Sequence, residues 1–206
     1  GISYNISGTV TVNGHPLPGA IVHFSKEGPA GNVVAGTTTV DSNGQYTISV
    51  PLGVFFSITN VVKSGYELNE PVPIEGFIVE DDASFNFTMN AVAGTYHDIT
   101  GTVTVNGHPL VGVTISYTID GHPFSVTTDD DGYYLIDDIL FGSYLIITNV
   151  TKSGYAVNTA MPMAGFLVEG DGEINFAMTA TDQTHYTISG TVTVNDHPLA
   201  GVTINY

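Results

Sequence analysis

The chain has 206 residues and carries 20 acidic side chains against only 3 Lys and Arg, for a formal net charge of −17. Because phosphate binding needs clustered Lys and Arg, this balance argues against nucleic acid and anionic membrane surfaces as partners. The sequence contains no cysteine, which excludes disulfide bonds, thiolate catalysis and cysteine-based metal sites.

The first elements in the chain are two predicted strands joined by a turn, within ISGTVTVNGHPLPGAIVHF at 6–24. The dipeptide Asn13-Gly14 between them suits a two-residue type I′ hairpin, in which both central residues need positive φ. A later copy of the segment has Asp196 in place of this glycine, and Asp accepts positive φ less readily than Gly. We therefore expect a longer loop here rather than the tight hairpin.

The same segment returns at 99–117 and 188–206, and four further stretches also occur twice. The matching stretches are DSNGQY (41–46) with DDDGYY (129–134), ITNVVKSGY (58–66) with ITNVTKSGY (147–155), EGFIVE (75–80) with AGFLVE (164–169), and FNFTM (85–89) with INFAM (174–178). Such self-similarity indicates a duplicated module of roughly 90 residues. We predict one module over 1–94, a second over 95–183, and the first two strands of an incomplete third over 184–206. Short linkers are expected near 90–98 and 179–187.

Apolar and polar residues alternate along the predicted strands, as in Ile99, Gly101, Val103 and Val105 against the intervening threonines. A period of two places one set on a core face and the other on a water-facing surface. No stretch shows a convincing helical period, and turn signals recur at short spacing, as in β-sandwiches. The sequence predicts an all-β fold of tandem seven-stranded, Ig-like sandwiches.

The third copy ends after two predicted strands, and a two-stranded hairpin alone is marginal in water. The apolar side chains that it would leave partly exposed are Val192, Val194, Val202 and Ile204. Two explanations stay open. The chain continues beyond Tyr206, because duplicated modules commonly form longer arrays, or residues 186–206 complete the sandwich of another subunit and so build a filament.

Several stretches also carry a family resemblance: GTVTVNGHPLPGAIVHF, TTTVDSNGQYTI and VVKSGY in the first copy, and GTVTVNGHPLVGVTISY, VTTDDDGYYLI, LFGSYLI and VTKSGY in the second. With them, each module resembles the carboxypeptidase regulatory-like domain, a prealbumin-like β-sandwich, and is similar to the B-type repeats of bacterial collagen adhesins. The resemblance implies extracellular spacers, stalks, adhesin repeats or accessory domains beside enzymes. Adhesin repeats often carry a Lys–Asn isopeptide bond whose lysine lies on the first strand. The first strands here, 6–12 and 99–105, contain no lysine, so we do not expect this bond.

The Asp-rich turns and the lysines are the first candidate sites. Asp129, Asp130 and Asp131 could hold Ca²⁺ through hard oxygen ligands, but the distant bidentate Glu of an EF-hand is missing. We favour a β-turn, in which Asp bonds its own backbone and Gly supplies positive φ. Lys63 and Lys152 occupy equivalent places, and we expect solvated lysines near strand ends, paired with an acidic group of a neighbouring module.

Glycosylation and sugar binding are the next candidates. Sequons begin at Asn5, Asn86 and Asn149, which marks them as acceptors if the chain is secreted by a competent cell. Six aromatic residues could form a sugar-stacking platform, although their recurrence at equivalent positions favours core or corner roles. They are Tyr46, Tyr66, Tyr134, Tyr155, Phe77 and Phe166.

The histidines of the recurring VNGHPL and VNDHPL stretches fall one per module, so they cannot easily converge on a metal. They are His15, His108 and His197. There is no nucleophile-elbow or His-Glu-x-x-His motif. We therefore expect no catalytic residue, no metal site, no cofactor and no enzymatic activity.

The function that the sequence predicts is mechanical: an extracellular or cell-surface stalk, array or self-associating filament. The alternatives are an adhesin or carbohydrate-binding module, and an accessory domain of a larger secreted enzyme. No apolar run is long enough to span a bilayer, so we expect no membrane insertion. No signal peptide is visible at Gly1, so we expect the start to be a processed end or a cut into a longer chain.

Overall fold

The computed structural model describes residues 1–28, 30–92, 94–181, 187 and 189–204, and within these ranges the chain is all-β, as predicted. The strands of the first sandwich are β1 (Ser3–Val12), β2 (His15–Pro16), β3 (Ile21–Glu27), β4 (Val33–Thr39), β5 (Gln45–Pro51), β6 (Phe55–Val62), β7 (Tyr66–Leu68), β8 (Phe77–Ile78), β9 (Ala83–Ser84) and β10 (Phe87–Ala91). The strands of the second are β11 (Tyr96–Val105), β12 (His108–Pro109), β13 (Thr114–Ile119), β14 (His122–Thr127), β15 (Tyr133–Leu140), β16 (Tyr144–Thr151), β17 (Tyr155–Val157), β18 (Phe166–Leu167), β19 (Gly172–Glu173) and β20 (Phe176–Ala180). A last hairpin contains β21 (Thr193–Val194) and β22 (His197–Pro198).

Each sandwich packs a six-stranded sheet against a four-stranded sheet. In the first sandwich, the six-stranded sheet has the order β2-β1-β10-β7, with β5 and β9 also paired to β1, and the four-stranded sheet has the order β4-β3-β6-β8. In the second sandwich, the six-stranded sheet has the order β12-β11-β20-β17, with β15 and β19 also paired to β11, and the four-stranded sheet has the order β14-β13-β16-β18. Seven strands of each sandwich have three residues or more, which matches the predicted seven, and the other three have two residues. Each sandwich encloses its own buried apolar core.

The predicted alternation along β11 is confirmed. Ile99 and Val103 are fully buried, while Thr100 and Thr102 between them are partly exposed. Each long strand therefore packs one apolar face against the core and leaves its other face in water, as is common in antiparallel sheets.

The prediction of a longer loop after the first strand is wrong. Val12 pairs directly with His15, so Asn13 and Gly14 form a two-residue turn, and their φ values of 49° and 80° are those of a type I′ hairpin. The same turn forms at Asn195-Asp196, with φ values of 47° and 62°. Asp196 takes the place of Gly because a short polar side chain tolerates the left-handed region.

The first and last strands of each sandwich run parallel. Val10 to Val12 of β1 pair with Phe87 to Met89 of β10, and β11 pairs in the same way with β20. The chain enters the first sandwich at Ser3, which pairs with Pro51, and it leaves at Ala91, which lies beyond the opposite end of β1. The chain therefore enters each sandwich at one end and leaves it at the opposite end.

A buried junction fixes the start of the last strand. The Tyr134 hydroxyl donates to the Ile174 carbonyl oxygen at 2.6 Å, directly over Gly101 of β11. Asn175 then accepts a hydrogen bond from the backbone N–H of Thr102 at 2.7 Å. The first sandwich repeats this junction, with Tyr46 donating to the Phe85 carbonyl oxygen at 2.6 Å over Gly8. This repetition explains why Tyr and Gly recur at these positions in both copies.

The Tyr134→Phe substitution should flatten the loss of stability at alkaline pH. Burial raises the pKa of Tyr134 above its ordinary value, so the unfolded chain loses this proton at a lower pH than the folded chain. Above about pH 10, the free energy of unfolding therefore falls by about 1.4 kcal/mol per pH unit from this one group. Urea unfolding between pH 9 and 11 measures the slope, and identical slopes for wild type and variant would contradict the expectation.

The hairpin of the third copy pairs only with itself in the part of the chain that the structure describes. Val194, Val202 and Ile204 are 50%, 43% and 69% exposed, and Val192 is half-buried. Residues 182–186, 188, 205 and 206 lie outside the described residues, so the strand donation by residues 186–206 and the module boundary at 184 stay predictions. Among the described residues, no helix is long and apolar enough to cross a bilayer.

Candidate functional site

The two sandwiches meet in a contact made of side chains from opposite ends of the repeat. We call the surface around His15, Lys63 and Tyr66 the exit end of the first sandwich. We call the surface formed by Phe141, Tyr144, Leu167 and Glu169 the entry end of the second sandwich. Phe141 and Leu167 pack against the core of the first sandwich, although both belong to the second.

An ion pair joins the two ends. Lys63 Nζ lies 3.1 Å from Glu169 Oε1 and 3.2 Å from Oε2, and it also donates to the Pro18 carbonyl oxygen at 2.8 Å. The Lys63 side chain is 17% exposed and that of Glu169 is 38% exposed. The predicted pairing with an acidic group of the neighbouring module is found for Lys63, but its side chain is mostly buried and not solvated as predicted. Lys152 instead donates to the Val111 carbonyl oxygen at 2.7 Å.

Aromatic packing forms the apolar part of the contact. The rings of Tyr66 and Phe141 lie 5.2 Å apart between centroids. Gly65 and Gly142 permit this approach, because a Cβ on Gly65 would meet the Phe141 ring at 2.5 Å and one on Gly142 would meet Ala91 at 2.6 Å. Burial of apolar surface is the larger stabilising contribution here, since an ion pair at a partly exposed position contributes roughly 0–1 kcal/mol.

The histidine of the first VNGHPL stretch lies in this contact. The His15 ring stacks on the Tyr144 ring at 3.7 Å between centroids, with the planes 6° apart. Beside them is a groove of about 250 Å³ whose lining includes Pro16, Pro18 and Leu167. The sequence predicted a turn at this stretch, which is confirmed, but it did not predict that the turn carries a contact residue.

The Tyr66 hydroxyl lies buried at the edge of the contact. Burial raises the pKa of Tyr66, and the Glu169 carboxylate nearby raises it further. Within the described residues this hydroxyl has no acceptor in hydrogen-bonding geometry, so we take Glu169 to be its near neighbour rather than a formed partner. The neutral phenol therefore places no second negative charge beside Glu169, which leaves that carboxylate to Lys63.

The predicted Asp-rich turns are β-turns in the structure. Asp129 accepts hydrogen bonds from the backbone N–H groups of Asp131 and Tyr133 at 3.0 and 2.9 Å. The Asp129 carboxylate therefore serves the turn, as predicted for this stretch. Across the described ranges, no three His, Asp or Glu side chains are grouped so as to hold a metal ion.

The six aromatic residues considered for sugar binding pack into or against the two cores. Tyr46, Tyr66 and Tyr134 are buried, and Tyr155, Phe77 and Phe166 are half-buried. The prediction of core and corner roles is confirmed for them.

The three sequon asparagines are exposed: Asn5 lies on β1, Asn149 lies on β16, and Asn86 lies directly before β10. Asn86 Oδ1 accepts hydrogen bonds from the backbone N–H and the hydroxyl of Thr9 at 2.9 and 3.1 Å. Asn149 Oδ1 accepts one from the N–H of Val150 at 3.0 Å, and the side chain of Asn5 is exposed on β1. Glycosylation at Asn5, Asn86 and Asn149 stays a prediction.

Sequence reasoning missed Phe141, Tyr144 and Glu169 as contact residues. A signal was available in the comparison of the two copies, because Leu52 in the first copy becomes Phe141 in the second, and Phe55 becomes Tyr144. Such changes, one in a turn and one at the start of a strand, mark places where the copies meet different surroundings, whereas Glu169 matches Glu80 and gives no such signal.

Comparisons with known proteins give similarity but no family. No protein-family model matches the chain, so the resemblance to the carboxypeptidase regulatory-like domain stays a prediction. A chitinase of Flavobacterium johnsoniae is 27% identical in an alignment of 203 residues that covers 97% of this chain and 12% of that protein. The chain thus spans about an eighth of the length of this curated relative.

Solved structures with similarity to the chain include two pilins. The shaft pilin of Lactobacillus rhamnosus GG is 11% identical, with 89% of this chain and 99% of the pilin covered, at a TM-score of 0.34. The minor pilin of Streptococcus agalactiae is 12% identical, with 90% and 100% covered, at a TM-score of 0.36. TM-scores below 0.5 do not establish a common overall arrangement, so these similarities say nothing about what this chain does.

Proposed function

We propose that the chain is a structural repeat segment of an extracellular or cell-surface protein, and that its sandwiches act as stiff spacers placed end to end. One observation carries this proposal. Because the first and last strands of each sandwich are parallel, the chain enters and leaves at opposite ends. A strand of 10 residues such as β1 extends about 30 Å at about 3.3 Å per residue, so each sandwich adds length in one direction.

The contact between the sandwiches supports stiffness. Only residues 92–95 separate β10 from β11, and the Lys63–Glu169 pair and the Tyr66–Phe141 packing hold the two ends together. A short connection with a packed interface restricts relative motion of neighbouring domains more than a long polar linker does. We propose prealbumin-like modules of the carboxypeptidase regulatory-like type for this role, with no catalytic function assigned to them.

Charge reversal at the contact tests the spacer proposal. The native chain has no cysteine, so Thr37→Cys on β4 and Ser125→Cys on β14 give one label at an equivalent exposed place in each sandwich. We expect electron–electron spin distance measurements to give one narrow distribution for the labelled wild type. Lys63→Glu should broaden it, because two carboxylates then face each other, and adding Glu169→Lys should narrow it again.

Lys152→Glu is the matched control, since Lys152 occupies the equivalent place at the far end of the second sandwich. This variant should leave the distance distribution unchanged. A broad distribution in the labelled wild type would contradict the proposal that the two sandwiches form a stiff unit.

The second candidate is an accessory segment of a larger secreted enzyme. The observation that favours it is the similarity to the Flavobacterium chitinase, which covers nearly all of this chain but only 12% of that protein. Co-sedimentation of the 206-residue chain with insoluble chitin tests for a carbohydrate-binding role. Retention on chitin would support the accessory role as a binding module, and recovery in the supernatant would leave spacing as the function.

A further inference from the structure

The entry end of the first sandwich and the exit end of the second meet no other sandwich among the described residues, and we call them the free ends. The entry end of the first sandwich contains Leu52, Phe55, Ile78 and Glu80, at the positions of Phe141, Tyr144, Leu167 and Glu169. The exit end of the second sandwich contains His108, Lys152 and Tyr155, at the positions of His15, Lys63 and Tyr66. The described residues therefore contain a second entry end and a second exit end that lie outside the internal contact.

Backbone pairing shows that the two entry ends are built alike. Phe55 pairs with Ile78 between β6 and β8 as Tyr144 pairs with Leu167 between β16 and β18. The N–H of Gly53 donates to the Val79 carbonyl oxygen at 2.8 Å, and the N–H of Gly142 donates to the Val168 carbonyl oxygen at 2.8 Å. Glu80 and Glu169 follow these two valines directly, so each carboxylate leaves the same corner of its sandwich.

The two exit ends are also built alike. Lys63 donates to the Pro18 carbonyl oxygen at 2.8 Å, and Lys152 donates to the equivalent Val111 carbonyl oxygen at 2.7 Å. The chain then leaves both sandwiches in the same way, with a backbone hydrogen bond of 2.9 Å to Gly65 in one case and to Gly154 in the other. Lys152 is held where Lys63 is held, but among the described residues no carboxylate lies opposite it as Glu169 lies opposite Lys63.

Exposure differs between the free and the paired ends. Leu52, Phe55 and Ile78 are 49%, 39% and 51% exposed, whereas their counterparts in the second sandwich are partly buried by the first. Tyr66 is 7% exposed beneath Phe141, while Tyr155 at the free exit end is only half-buried. The free entry end thus presents an apolar patch with an acidic residue beside it, and the free exit end presents a lysine beside a tyrosine.

We propose that the exit end of the second sandwich binds the entry end of the first sandwich of a second copy, in the geometry of the internal contact. In this arrangement Lys152 pairs with Glu80 of the second copy, and Tyr155 packs on Leu52 of the second copy. The two surfaces are different, so the contact does not close on itself and extends into head-to-tail chains. The inference rests on the proposed spacer function and names the partner that lengthens the spacer.

Charge complementarity selects a second copy as the occupant. At a net charge of −17, copies of this chain repel one another at long range, and screening by about 0.15 M salt limits that repulsion to roughly 8 Å. At the ends, however, one of only three basic side chains meets an acidic one. A contact that joins Lys152 to Glu80 therefore aligns the copies end to end, and side-by-side approaches place acidic surfaces together.

Sedimentation velocity at about 0.15 M salt tests this contact across a range of protein concentrations. The wild-type chain should form species larger than the monomer as its concentration rises. Glu80→Lys and Lys152→Glu should each raise the dissociation constant about tenfold or more, because each places like charges opposite one another. An equimolar mixture of these two variants should associate again, since each end then meets a partner of opposite charge.

Two control variants test whether association depends on this contact and not on net charge alone. Glu67→Lys makes the same change in charge at an exposed position on β7, away from both free ends, and should associate as the wild type does. Leu52→Asp tests the apolar part of the same contact without altering Glu80 or Lys152, and should also weaken association. Circular dichroism confirms that each variant is folded.

Two results would overturn the inference: a wild-type chain that stays monomeric throughout, or association that neither charge reversal weakens. The second result would point to another route, such as strand donation by the last hairpin or a continuing chain that covers the exit end. The distance between spin labels at Thr37→Cys and Ser125→Cys within one chain is measured in the same variants. An unchanged narrow distance with no association would reject the head-to-tail contact and leave the spacer function standing.

Discussion

Gly101→Ala should destabilise the second sandwich by about 3 kcal/mol or more, which is among the largest effects expected of a single methyl group. A Cβ at this position would lie 1.9 Å from the Ile174 carbonyl oxygen and 2.7 Å from the Tyr134 ring. Neither neighbour can move cheaply. The carbonyl belongs to the backbone that starts the last strand, and Tyr134 is a fully buried side chain that donates to that same oxygen.

Urea denaturation followed by far-ultraviolet circular dichroism measures this effect. Gly170→Ala is the matched control, because a Cβ there meets no atom within 4 Å, and its effect should stay within about 0.5 kcal/mol. Gly8→Ala should damage the first sandwich in the same way, since its Cβ would lie 1.8 Å from the Phe85 carbonyl oxygen. Wild-type stability in Gly101→Ala would show that the junction over Gly101 is wrongly described.

Phe141→Asp should separate the two sandwiches while both stay folded. The substitution removes the ring that covers Tyr66 and places a carboxylate near Glu169, so it loses apolar contact and adds like-charge repulsion. Full burial of a Phe side chain contributes about 1.5–3 kcal/mol, and because Phe141 is only partly buried we expect about 1–2 kcal/mol. The distribution of distances between labels at Thr37→Cys and Ser125→Cys should become much broader than in the labelled wild type.

Leu52→Asp is the control for Phe141→Asp, because it makes the equivalent change at the free entry end. At a protein concentration low enough to keep the chain monomeric, this variant should leave the label distance as narrow as in the wild type. If Phe141→Asp also left the distance unchanged, the aromatic packing would not be what joins the sandwiches.

The fold could be predicted because its signals are local and repeated. The alternation along β11 assigns each side chain to one face, and the second copy confirms the assignment made for the first. The turn at Asn13-Gly14 was mispredicted because Asp196 in the third copy was given too little tolerance for positive φ. The free-energy cost of positive φ for Asp relative to Gly is small, so the residue type at this position does not by itself decide between a two-residue turn and a longer loop.

The contact between the sandwiches could not be predicted from the sequence in full. Lys63 and Glu169 are 106 positions apart, and their meeting depends on how one sandwich is oriented against the other. Periodicity describes which face of a strand is buried, but it does not describe which end of a module meets the next. The equivalence of Lys63 and Lys152 did indicate a recurring role, and among the described residues Lys63 forms an ion pair with Glu169 while Lys152 donates to the Val111 carbonyl oxygen.

The parallel pairing of first and last strands also determines how a sandwich responds to tension. When the chain is pulled from its two termini, β1 is drawn one way and β10 the other, along the direction of the strands. The hydrogen bonds between them are then loaded in shear and must break together, whereas bonds at the end of a hairpin would open one after another. Forced unfolding is governed by the height of the barrier to such an event, so each sandwich is oriented to resist force applied along the chain.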